Sequence, residues 1–265
     1  MTVTVLIPTI APGAWLDLAV TSALDSDSES LILVVFDGSE PAADAAWLAD
    51  PRVSVHRLPS RGGLAAALNA GLRRATTPYV ARLDADDIAM PGRFASQRSY
   101  LDAHPEAPLV SGAAACIDES GTITGHIGPR HGHASDDMRT DLLLRNYLIH
   151  PAVMYRRQAV LDVGAYDETL PFMEDYELWL RLACVGPLAM TTDEVIHYRL
   201  HANQMTKAAP PYGVHIRRIG AAKRRLAATI GVPRALSAAY HSLWLAAQVR
   251  RFVTARIRAA QAKRA

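Results

Sequence analysis

Cysteine, lysine and long apolar runs are scarce in this chain, and acid is missing from its last quarter. Cys116 and Cys184 are the only cysteines. They are too few for a disulfide framework and lack metal-ligand spacing, which points to a reducing compartment. No run of roughly eighteen apolar residues occurs, so no segment is expected to span a bilayer. The first residues read directly as a strand, without the basic segment and apolar core of a secretory signal. A cytoplasmic protein is expected, soluble or peripheral at the inner membrane face. No Gly-x₄-Gly-Lys-Ser/Thr loop is present, which excludes a P-loop nucleotide hydrolase.

What the chain has instead is size, apolar content and divided charge. With 265 residues, half of them hydrophobic, it can bury a large core as one domain with an appendage. Residues 1–194 hold all 26 acidic side chains against 14 arginines. Residues 195–265 hold the other 14 basic side chains, every lysine among them, and no acid. Such a division marks either a basic tail with a role of its own or a solvated basic face.

Short β-branched runs alternate with helix-forming stretches from the start. Strands are predicted over 3–7, 31–36, 53–57 and 79–83, and helices over about 13–24, 41–49 and 63–75. That rhythm predicts an α/β fold, a mainly parallel sheet with helices on both faces. Ligands of such sheets sit beyond the carboxyl ends of the strands. Thr9, Asp37 and the acidic residues at 84–87 all fall at such ends and would converge on one crevice suited to a nucleotide.

The stretch Tyr79-Val80-Ala81-Arg82-Leu83-Asp84-Ala85-Asp86-Asp87-Ile88 is the most specific signal. A buried strand ends in three carboxylates, which is unfavourable unless a positive charge offsets them. Hard oxygen ligands suit Mg²⁺ or Mn²⁺; a solvated acidic turn is the plain alternative. Around it stand Val3-Thr4-Val5-Leu6-Ile7-Pro8-Thr9, Leu31-Ile32-Leu33-Val34-Val35-Phe36-Asp37-Gly38, the helix opened by Arg61-Gly62-Gly63, Phe172-Met173-Glu174-Asp175-Tyr176-Glu177-Leu178-Trp179, and Tyr198-Arg199-Leu200-His201. In this order and spacing the pieces resemble the inverting nucleotide-sugar glycosyltransferases of family 2, over roughly residues 1–205.

The resemblance implies one glycosyltransferase-A type domain at 1–205 with a Rossmann-like sheet. Its nucleotide-sugar-binding half would be 1–100 and its acceptor-side half 101–205, with a basic helical extension at 206–265. It implies metal-dependent, inverting transfer from a nucleoside-diphosphate sugar, UDP-linked foremost, to a hydroxyl of a cell-surface glycan, lipid-linked glycan or natural product. Pro8, Thr9 and Asp37 would meet base and ribose, although Asp37 also reads as an Asx-turn residue before Gly38. Arg61 would reach a base or phosphate. Asp86 is the expected direct ligand of Mn²⁺ or Mg²⁺, with Asp84 on ribose or a metal-bound water. Asp87 either joins them or caps the helix near Pro91. An Ala-Arg-Asn triplet common in the family stands here as Ala67-Leu68-Asn69, so Asn69 is expected to pack.

On the acceptor side, His150 and Trp179 are candidates, each with a core-packing alternative. Asp175 is the expected base and Glu174 its positioning partner, near the start of a helix over 175–182. Carboxylates in a first turn are also ordinary dipole partners, and Glu177 is expected to face solvent. Arg199 and His201, two apart, would lie on the same side of an extended chain. In the family they close over the diphosphate, with His201 joining the metal. Asn203-Gln204-Met205-Thr206 would be a loop that orders with the donor.

The tail reads as helices over roughly 212–230 and 234–262. In the second, Tyr240, Leu243, Trp244, Ala247, Phe252, Val253 and Ile257 form an apolar stripe beside Arg250, Arg251, Arg256 and Arg258. It suits an anionic membrane surface, a second subunit, or the catalytic domain itself; nothing resembles a nucleic-acid module. Two other function classes stand beside the transferase. A sugar-nucleotidyltransferase would show a cationic triphosphate loop where Thr9-Ile10-Ala11-Pro12-Gly13 has no cation. A non-catalytic scaffold binding nucleotide sugar or membrane would have no need of both acidic pairs.

Overall fold

The computed structural model describes residues 2–129, 134–202 and 209–262. The segment Asn203-Gln204-Met205-Thr206 lies outside them, as does the side chain of Arg258. The chain begins as expected: β1 (Val3–Thr9), α1 (Ala14–Ser26), β2 (Leu31–Asp37), β3 (Val53–Leu58), α2 (Leu64–Arg74) and β4 (Tyr79–Arg82). These four strands lie parallel in the order β3-β2-β1-β4. Every residue of β1 and β4 is buried, as near-continuous apolar strands under helices on both faces should be. Helix α2 approaches so closely that a Cβ on Gly71 would lie 2.2 Å from Leu6 Cδ1, so any larger residue would force the buried Leu6 side chain to shift.

Past β4 the sheet is mixed. It continues with β5 (Ile88–Ala89), α3 (Arg93–Ala103), β6 (Leu109–Ile117), β7 (Ile123–Ile127), α4 (Arg139–Leu144), β8 (Val153–Arg156), α5 (Arg157–Asp162), α6 (Glu174–Leu182) and β9 (Leu188–Arg199). The full order is β3-β2-β1-β4-β8-β6-β9-β5, with β7 on β6. Strand β8 runs antiparallel to both β4 and β6, while β9 runs parallel to β6. The parallel run is thus confined to the first half, and β9 carries the 198–201 segment back beside the acidic turn.

One expected element is shorter in the structure. The helix over 41–49 is a single 3₁₀ turn, Ala46–Ala49, pinned by buried Trp47, whose indole N–H donates to Asp17 at 2.8 Å. Its single anchor supplies no repeating apolar face. Residues 146–157 contribute only the short strand β8, because Pro151 has no N–H for a ladder and sits in a 3₁₀ turn, His150–Ala152. Helices α7 (Val214–Thr229) and α8 (Arg234–Ala262) follow; α7 packs on α6, and α8 packs on α4 and α7. No helix among the described residues is long and apolar enough to cross a membrane.

Candidate active site

The acidic turn begins where β4 stops. Asp84, Asp86 and Asp87 bring carboxylate oxygens within 4.8 Å of one another. Three groups on the chain answer them. Arg82, buried on β4, forms an ion pair with Asp84. His201 places Nε2 2.7 Å from Asp86 Oδ2. The Arg199 backbone N–H donates to Asp87 Oδ1 at 2.8 Å. Asp87 Oδ2 is buried without a partner among the described residues.

Burial pushes the Asp84 carboxyl up against the pull of Arg82. Burial, then the charges of Asp84 and Asp86, push Asp87 well above the ordinary carboxylate range. This carboxylate cluster with an imidazole beside it has the donor set that a small hard dication takes, and Asp86, Asp84 and His201 are the residues that could hold one. Asp87 does not cap the following helix. It is 1% exposed, and α3 starts at Arg93 behind a left-handed Gly92.

At the nucleotide end, Asp37 closes β2 and accepts backbone N–H bonds from Gly62 at 2.6 Å and Gly63 at 2.9 Å. Gly38 allows this with φ 77°, since a Cβ there would lie 2.7 Å from the Arg61 nitrogen. Asp37 therefore fixes the 61–63 loop at the start of α2 and presents Arg61, which is exposed, along the same wall. Thr9 caps its own turn, its hydroxyl donating to Ala11 at 2.7 Å.

Across the crevice, α6 opens with both acids in its first turn. Met173 precedes it with φ 61°, a left-handed conformation unusual for a side-chain-bearing residue and frequent at functional sites. Asp175 accepts from Asn146 Nδ2 at 2.9 Å and from the Tyr176 N–H at 2.7 Å. Burial raises its carboxyl, and these hydrogen bonds pull it back. Burial and then the Asp175 charge push Glu174 up to about 7. His150 lies beside them, its Nε2 3.0 Å from the Tyr166 hydroxyl, and burial holds its pKa well below the ordinary histidine value. That imidazole stays neutral.

One cleft of about 1260 Å³ joins these parts. Pro8, Thr9, Asp37, Arg61, Asp84, Asp86, His150, Glu174, Asp175 and His201 all line it. Three expectations are corrected. Arg199 turns away from the cleft: it is 2% exposed, and its guanidinium donates to the backbone oxygens of Asp86, Asp118 and Glu119 at 2.9, 3.0 and 3.3 Å. It braces the acidic turn. Trp179 is fully buried, edge-on to His150 at 5.7 Å, because its helical position faces the core. Glu177 is buried and paired with Arg181, whose guanidinium also ties the Val163 and Ala165 carbonyls.

Reading residue types missed Arg82, Asn146 and the cleft-lining Trp244, Gln248 and Arg251 of α8. The signal for Arg82 was its place inside the acidic motif. Asn69 packs as expected, bonding the Tyr166 backbone in both directions and Glu168.

A family model described as Glycosyl transferase family 2 matches residues 4–164. The amylovoran biosynthesis glycosyltransferase AmsE of Erwinia amylovora is 35% identical over 181 residues, 66% of each chain. The O-antigen biosynthesis glycosyltransferase WbnJ of Escherichia coli is 25% identical over 208 residues, 75% of this chain and 79% of that one. The match to an uncharacterised Haemophilus influenzae glycosyltransferase spans 54% of that protein, so the chain covers about two thirds or less of the length of AmsE and of this relative. Among solved structures, S. aureus TarS 1-349 in complex with UDP-GlcNAc superposes with a TM-score of 0.69 at 15% identity, over 92% of this chain and 72% of that one. At that identity the likeness is one of fold.

Proposed function

Because the chain belongs to glycosyl transferase family 2, we propose that it moves a sugar, with inversion, from a UDP-sugar to a hydroxyl of a surface polysaccharide intermediate. The observation that carries this reading is the facing of Asp175, oriented by Asn146, with the acidic turn and His201 across one cleft. UDP-GlcNAc and UDP in the fold neighbour TarS support the donor class. The names of AmsE and WbnJ support the polysaccharide.

The nucleoside lies toward Pro8, Thr9, Asp37 and Arg61, and the diphosphate toward Asp84 and Asp86. Mn²⁺ or Mg²⁺ bound there supplies charge stabilisation to the departing diphosphate. Asp175 takes the proton from the acceptor hydroxyl as that oxygen bonds to the anomeric carbon. The bond from that carbon to the diphosphate breaks, and the nucleoside diphosphate leaves with the electron pair. Glu174, about half protonated at pH 7, is suited in its neutral form to donating a hydrogen bond to the acceptor without adding charge. Product NMR at the anomeric centre tests the stereochemistry: an α-linked donor gives a β-product, and a retained α-linkage would refute the single-base reading.

A further inference from the structure

We propose that the outward face of α8 docks on anionic lipid, holding the cleft against a membrane surface. The helix has a buried face and a separate outward apolar face where one stripe was expected, because adjacent residues such as Leu243 and Trp244 lie about 100° apart on a helix. Ser237, Trp244 and Gln248 turn inward and are at most 8% exposed. Leu236, Leu243, Val249, Val253 and Ile257 turn outward and are 42–63% exposed. At helical spacing these five fall within an arc of about 140°, far more ordered than scattered surface apolar residues. Tyr212, 67% exposed and 6.3 Å from the Phe252 ring, adds an amphipathic aromatic beside the helix.

Charge identifies the occupant. Arg250 lies within the apolar arc and Arg256 at its edge, both exposed, and residues 195–265 contain no acid. A second copy meeting this face through a two-fold contact would set arginine against arginine with no carboxylate on either tail to separate them. A sheet of anionic headgroups over acyl chains matches both components. The opposite side of the same helix carries Trp244, Gln248 and Arg251 into the cleft wall. A membrane on the outer face would therefore lie about one helix diameter, roughly 10 Å, from the cleft.

Sedimentation of the full chain with vesicles, without donor, tests the proposal apart from sugar transfer. Vesicles of phosphatidylcholine mixed with phosphatidylglycerol are expected to carry down at least about tenfold more protein than phosphatidylcholine alone. The exposed-site pairs Val253→Glu with Ile257→Glu, and Arg250→Gln with Arg256→Gln, should each lower that binding by about tenfold or more. Their melting temperatures should match the parent, since none of the four is buried. Equal binding to both lipids, or none to either, overturns the proposal. So does a parent that stays off vesicles as a dimer by light scattering while Val253→Glu with Ile257→Glu is monomeric, which gives the face to a second copy.

Discussion

Asp175 is held by two donors, one side-chain amide and one backbone N–H, so its orientation and its charge have separable controls. Asp175→Asn keeps the shape and removes the base; kcat is expected to fall about 10²- to 10⁴-fold, with donor affinity unchanged in calorimetry. Asn146→Ala removes a bond that lowers the Asp175 pKa. The acid limb of kcat/KM should therefore move to higher pH, which a loss of structure alone would not produce. Glu174 titrates at about 7 in the fold against 4.5 ordinarily. A raised acid contributes stability fully below its ordinary pKa and loses it as pH rises through the folded value. In metal-free buffer Glu174→Gln should be more stable than the parent at pH 8 by about 1–2 kcal/mol. The two melting curves should converge below about pH 4.5. At this scale the sequence was legible where chemistry and position coincide, as at Asp86, Asp175 and His201, all of which reach the cleft. It misled at Arg199, where residue type suggested ligand contact and the actual orientation depends on distant backbone; at Trp179 the core-packing alternative is the one the structure adopts.

Elements were more legible than orientations, because periodicity reports burial directly. Helix α2 lies within one residue of the reading at each end and β1 runs two residues past it, while the 41–49 segment failed because one buried tryptophan replaced a helical face. The α7–α8 pair hides a feature that periodicity disguised: Lys223 is 2% exposed, and among the described residues its Nζ has no hydrogen-bond partner and faces the Trp244 ring at 4.6 Å. Burial lowers it to about 7. A depressed base contributes stability above its ordinary value near 10.5, lost as pH falls through the folded value. Lys223→Met should therefore stabilise the protein at pH 6 by about 1–3 kcal/mol. The gain should shrink toward pH 10, read by thermal melts across that range.

For the whole molecule, the decisive arrangement is that a parallel half-sheet supplies Pro8, Thr9, Asp37 and the acidic turn, while the mixed half returns α6 and β9 to face them. The strand-to-helix rhythm foretold the first half; the antiparallel insertion of β8 between β4 and β6 left no local signature, being set by long-range pairing. The most direct test is calorimetric titration of UDP-, GDP- and dTDP-sugars, with Mn²⁺ and with EDTA, into the parent, Asp86→Ala and Asp175→Asn. One UDP-sugar should bind with metal, be lost in EDTA and in Asp86→Ala, and bind Asp175→Asn as it binds the parent. Absence of binding by every nucleotide sugar, or binding indifferent to both metal and Asp86, would contradict the assignment of this cleft to metal-assisted sugar transfer.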